Sequence, residues 1–199
     1  MPRFLCAAGI LSHYVGDACQ PLHGSYLSDG YRDQQRPGAK TWPGKGVHAT
    51  FEDKMVDRYS SELLAAIGDA GDRFPNIKTR ATDGQSAAIA TVELMAAASA
   101  VIAPTELCDE YIKLGGGSSV RVVDGLWDAF GERTAILMGG GALSLAAFWD
   151  AAVDVAEVVL TGDAKIDTSA LAAIYQDASF LPSLTLEEIG GVLQSTPPA

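Results

Sequence analysis

No stretch of this chain alternates apolar and polar residues at the period of a half-buried strand, whereas apolar residues repeat at helical spacing along most of its length. Phe4, Leu5, Ala8, Leu11 and Val15 mark a helix over residues 3–19, which Pro21 stops. Phe51, Met55, Val56, Tyr59, Leu63 and Ile67 mark a second, from His48 to Ile67, ended by Gly68. A third runs from Thr82 or Asp83 to Ala103. It is apolar nearly all round, which predicts a central place in the bundle. Shorter helices are expected over 105–114 and 120–130, then a long one from Arg133 to Leu160 and a short one from Ser169 to Gln176. Gly139-Gly-Gly141 would weaken the long helix or let a neighbour approach closely. Such stripes are buried only by packing helix on helix, so the expected fold class is an all-α bundle. Residues 1–160 form its helical metal-site domain, and 161–199 a short helical carboxy-terminal extension with a capping box at Thr185 and Glu188.

Bulk properties narrow the function. A chain of 199 residues with 48% hydrophobic content is globular. Its net charge of −11 argues against a basic surface that tracks a nucleic-acid backbone. Three cysteines, Cys6, Cys19 and Cys108, do not make a disulfide framework and read as small buried hydrophobes. No charge-free apolar run reaches about 18 residues, so no stable membrane span is expected.

The chemistry concentrates near the amino terminus. All three histidines fall between residues 13 and 48. His13 and Asp17 are four apart, as are His48 and Glu52, and i,i+4 side chains share one helix face. His23 sits just beyond the first helix, held by Pro21. Imidazole with carboxylate is a donor set that zinc accepts. If the two helices lie side by side, five donor groups surround one cleft. A cluster of two or three ions there could clamp a phosphate and generate a hydroxide. The bland alternative for His13 and Asp17 is a helix-face hydrogen bond. Asp29, Asp33 and Asp53 read as solvated surface charge. Tyr14, Tyr26 and Trp42 could line a cleft, or pack in a core. The glycine runs lack the lysine of a phosphate loop. Residues 24–46, rich in Gly, Pro, Ser and Asp, form a long loop of the kind that often serves function.

The pattern His13-x3-Asp17-x5-His23, followed by His48-x3-Glu52, resembles the zinc-dependent phospholipase C and single-strand-specific nuclease superfamily. The resemblance implies an all-α fold, three zinc ions and a phosphodiester substrate, either a phospholipid or a single-stranded nucleic acid. It makes His13 a ligand of a paired zinc, Asp17 the bridge between two zincs, and His23, His48 and Glu52 the ligands of a third. Gln20-Pro-Leu-His23 looks like the nuclease branch, while Phe51 and Glu52 look like the phospholipase branch. The family's remaining ligands, from its amino-terminal helices, have no counterpart here. Three accounts follow: a fragment or late start, a missing amino-terminal half or homo-oligomeric partner, or a non-catalytic helical protein that retains one structural or vestigial zinc. Members are usually exported, and no signal peptide is visible, so location stays open.

Overall fold

The computed structural model describes residues 1–75, 81–156, 167–177, 179 and 180. Among the described residues every regular element is helical, and the ladder contacts amount to one isolated bridge between Ser28 and Gly30. The all-α expectation is met. The capping box expected at Thr185 lies outside the described residues. The chain divides into two compact units, residues 1–10 with 160–199, and residues 11–159.

In the first unit, the opening of α1 (Pro2–Cys19) buries Cys6, whose thiol points at the Leu171 carbonyl on α8 (Thr168–Gln176). Arg3 lies over the Phe180 ring. The Asp167 carboxylate caps α8 by accepting the Ser169 and Ala170 amides, which the first turn cannot satisfy by itself.

The second unit holds the main core. The helix expected from His48 to Ile67 forms in pieces: α2 (Val47–Ala49), a π-helical turn (Thr50–Met55), α3 (Val56–Arg58) and α4 (Ser60–Ala70). Tyr59 breaks the rod at φ −113° and ψ 24°. Its ring stacks on Trp127 with centroids 4.3 Å apart, and its hydroxyl donates to Asp124 at 2.7 Å. Neighbouring Arg58 donates to the same carboxylate at 2.6 Å. These tertiary contacts draw Tyr59 away from helical dihedrals, and no periodicity records them.

Residues 120–156 form one helix, α7 (Val120–Ala156), where the sequence suggested two. Its glycine run lies inside it and marks a point of close approach. A Cβ on Gly139 would sit 2.6 Å from the Gly71 backbone, one on Gly140 would strike the Phe74 ring, and one on Gly141 the Cys19 sulfur. The three glycines let the turn at Gly71–Phe74 and the end of α1 close on α7, and that packing outweighs their poor helix propensity. Phe51 and Phe130 meet edge to face in the same core.

The placement of α5 (Gly84–Val101) is a second correction. It starts at an Asp83–Ser86 capping box, as its sequence allows. It is not central: Ala90, Leu94 and Ala98 are buried, while Ile89 and Val92 face outward. Alanine-rich helices are apolar on every side whether buried or not, so composition could not tell the faces apart. After α5, α6 (Pro104–Lys113) opens with proline at its first position and is tied to α7 by a two-pronged Arg133–Glu106 pair at 2.7 and 2.8 Å. By length and composition, two stretches, Gly84–Lys113 and Val120–Ala156, could cross a membrane, although no charge-free run does so. The first is interrupted at Ile102, and both commit a stripe to the core: Leu94 and Ala98, then Leu126, Phe130 and Leu137.

Candidate metal centre

The second unit brings His23, His48 and Glu52 together. α1 ends at Cys19, Pro21 turns the chain, and fully buried Leu22 anchors the turn that carries His23. The other two donors stand at the start of the rod. Gly46 begins α2 at φ +93°, and a Cβ there would lie 2.9 Å from the Tyr111 hydroxyl, so only glycine serves. Its amide donates to Asp29 Oδ1 at 2.8 Å, which gives Asp29 a structural role in place of the surface one expected. Trp42 donates its indole N–H to the Asp29 carbonyl at 2.7 Å, with Arg32 and Lys45 stacked on its ring. Trp42 therefore holds the long loop against the start of α2. The π-helical turn that follows carries Glu52. Such turns often occur at functional sites.

Three atoms form a small triangle. His23 Nε2 lies 3.2 Å from His48 Nε2 and 3.1 Å from Glu52 Oε2, and His48 Nε2 lies 2.9 Å from Glu52 Oε2. Two zinc bonds of about 2.0–2.1 Å at a near-tetrahedral angle end about 3.3 Å apart, so the spacing fits donors to one ion. Among the described residues these three are the metal-type group.

Each donor residue has a further partner. His48 Nδ1 lies 2.8 Å from the Ser28 carbonyl. A carbonyl only accepts, so Nδ1 carries the proton and Nε2 presents its lone pair to the triangle. His23 Nδ1 lies 3.4 Å from Asp17 Oδ1. Gln20 donates to Glu52 Oε2 at 2.8 Å, and its own carbonyl accepts the Leu22 amide, which fixes the orientation of the Gln20 amide. Burial pushes the Glu52 carboxyl up, but the Gln20 hydrogen bond and the two imidazoles outweigh it and hold the group below its ordinary value. Oriented donors with such outer partners are what metal sites require.

His13, Tyr14 and Tyr26 stand apart from the triangle. His13 is largely exposed, with Nε2 3.4 Å from Asp17 Oδ2, and Tyr14 is exposed beside its ring. Tyr26 is exposed as well. Cys19 is no donor: burial raises its thiol to about 12, and it donates to the Val15 carbonyl. Sequence reasoning missed Gln20, Ser28 and Asp29. A glutamine beside the first helix end was visible, but nothing in the chain's pattern paired it with Glu52.

No known family model matches the chain, and no solved structure matches it. The chain is 36% identical to a probable serine protease from Bradyrhizobium tropiciagri, over an alignment of 211 positions that covers 96% of the chain. The chain spans 26% of that relative's length. This similarity overturns the resemblance to zinc-dependent phospholipases C and single-strand-specific nucleases. With it go the inferred phosphodiester hydrolysis and the phospholipid or nucleic-acid substrate. The alternative of a non-catalytic helical protein gains no support from it either. The physical reason is that two i,i+4 pairs and one further histidine specify a local cluster of donors. That cluster can occur on unrelated chains and does not name a reaction.

Proposed function

We propose that this chain is the cation-binding helical part of a protease-type hydrolase, with one divalent ion, zinc by the donor set, on His23, His48 and Glu52. The observation that carries the reading is the donor triangle with 2.9–3.2 Å edges and a further partner on each of its residues. The protease part rests on the similarity to the Bradyrhizobium protein, of which this chain corresponds to 26%. Both ring nitrogens of His23 and of His48 face groups other than a serine hydroxyl. In this reading the serine nucleophile belongs to a region of the protease outside this chain.

Zinc bound by three side chains would supply a Lewis acid with an open position, and would fasten the turn after α1 to the start of α2. Asp17 acts in this reading as the carboxylate that orients His23. His13 is a peripheral partner of Asp17. The test is metal content after zinc loading and dialysis. The wild-type chain should retain about one equivalent and Glu52→Gln much less. A serine-directed fluorophosphonate should leave the chain unlabelled. Labelling would move the nucleophile into this chain, and equal zinc retention by Glu52→Gln would remove the centre.

A further inference from the structure

The long loop carries a charge opposite to that of the rest of the chain. Residues 32–45 hold four basic side chains, Arg32, Arg36, Lys40 and Lys45, and one acidic, Asp33, whereas outside them acids outnumber bases by 14. All four bases are exposed, and among the described residues none of them pairs with a carboxylate. Elsewhere Arg58, Arg73, Lys113 and Arg133 each reach an acid at 2.6–2.8 Å. Two acids beside the loop are already engaged: Asp29 accepts the Gly46 amide, and Asp109 accepts the Tyr31 hydroxyl at 2.7 Å.

The loop is held in shape. Its ends meet: the Tyr31 amide donates to the Pro43 carbonyl at 2.8 Å, and a Cβ on Gly30 would lie 2.5 Å from the Gly44 backbone. Loops of this size with joined ends are frequently functional. Trp42 is fixed by its bond to the Asp29 carbonyl, and Arg32 Cζ and Lys45 Nζ stand 4.8 and 4.7 Å from the centre of its ring. One ring thus keeps two cations near each other against their mutual repulsion. Lys45 also donates to the Lys40 carbonyl at 3.3 Å. Side chains ordered in this way lose less freedom when an anion arrives.

The partner follows from charge and extent. A nucleic-acid backbone is charged along its whole length and would run from this loop onto the acidic remainder of the chain, which repels it. A lone small anion engages one or two of the four cations, and exposed pairs of that kind are weak. A short run of Asp and Glu matches the patch, and in an extended segment alternate carboxylates fall on one face. We infer that the loop of residues 32–45 is a docking surface for an acidic, extended segment of another polypeptide, with Arg32 and Lys45 as its principal contacts. The inference does not depend on the metal reading above.

The experiment titrates the full chain into a dye-labelled peptide of alternating glutamate and glycine and follows anisotropy. A second peptide carries glutamine in place of glutamate. The glutamate peptide should bind about tenfold or more tightly than the glutamine one, and should lose affinity as salt rises. Arg32→Gln combined with Lys45→Gln should weaken it about fivefold or more. Lys54→Gln combined with Arg73→Gln removes the same charge elsewhere and should change it less than about twofold. Arg36→Gln, which leaves both ring cations in place, should cost about twofold to threefold, and it carries the test if the Arg32 and Lys45 double variant fails to fold. Equal losses from the two double variants would mean a diffuse field rather than a docking loop, and would overturn the inference. Equal binding of the two peptides would overturn it as well. So would a single-stranded oligonucleotide of the same charge that binds as tightly as the glutamate peptide.

Discussion

Two histidine–carboxylate pairs share one spacing, and only one closes into a three-residue cluster. His48 and Glu52 meet a third residue, His23, and each of these three has a further partner. His13 and Asp17 reach each other at 3.4 Å, with the imidazole largely in solvent. The i,i+4 rule places two groups on one face of a helix. It does not bring a donor from another element, and it does not orient a ring. In this molecule those tasks fall to Pro21, to the loop that delivers Ser28 and Asp29, and to the glycine at the start of α2.

The comparison breaks first at the donors themselves. His48→Ala should weaken zinc binding by more than about 100-fold, above the range seen for outer partners, while His13→Ala should change it by less than about threefold. Competition titration against a chromogenic chelator measures both. Equal losses would put the two pairs on the same footing. Asp17, which touches both pairs, sharpens the contrast. Asp17→Asn should cost about 10–100-fold in affinity with the number of bound ions unchanged, as expected of a group that orients His23. Loss of a second equivalent of zinc in that variant would instead make Asp17 a ligand.

The frameworks behind the pairs should also respond with opposite sign. Gly46→Ala forces a side chain onto φ +93° and against Tyr111, so it should destabilise the metal-free chain by about 1–3 kcal/mol. Gly16→Ala, in open space within α1, should stabilise by about 0.5–1 kcal/mol. Thermal or urea unfolding decides both. The smallest expected effect is on pH. The Glu52 carboxyl lies below its ordinary value in the folded chain, so its contribution to stability is present above the unfolded value and is lost as pH falls through the folded one. Glu52→Gln should therefore flatten the acid limb of a stability–pH curve and leave the neutral region's slope unchanged. An unaltered acid limb would show that the carboxylate gains nothing from Gln20 and the imidazoles.

The sequence conveyed these features unevenly. The boundaries of α1, α5, α6 and α8 were legible because proline, Asp83 and apolar spacing act locally. The break at Tyr59 was not, because Trp127 and Asp124, more than 60 residues away, hold its side chain, and the π-helical turn before it has no signal in the spacing. The glycine run of α7 announced close packing, but which elements it admits depends on Gly71, Phe74 and Cys19 arriving together. The three residues of the triangle were legible from spacing. Their outer partners were not, since Ser28 and Asp29 reach α2 only through the fold of a long loop. The resemblance to a zinc phosphodiesterase family failed for a related reason. A few donors at short spacings describe a coordination pocket, whereas the similarity that spans the chain runs to a protein of another name.

The central claim is best tested by an anomalous difference map, recorded at the zinc edge from crystals of the zinc-loaded chain. The account predicts one strong peak about 2.0–2.2 Å from His23 Nε2, His48 Nε2 and Glu52 Oε2 together. A map with no peak among those three atoms, or with its peak on His13 instead, would contradict it.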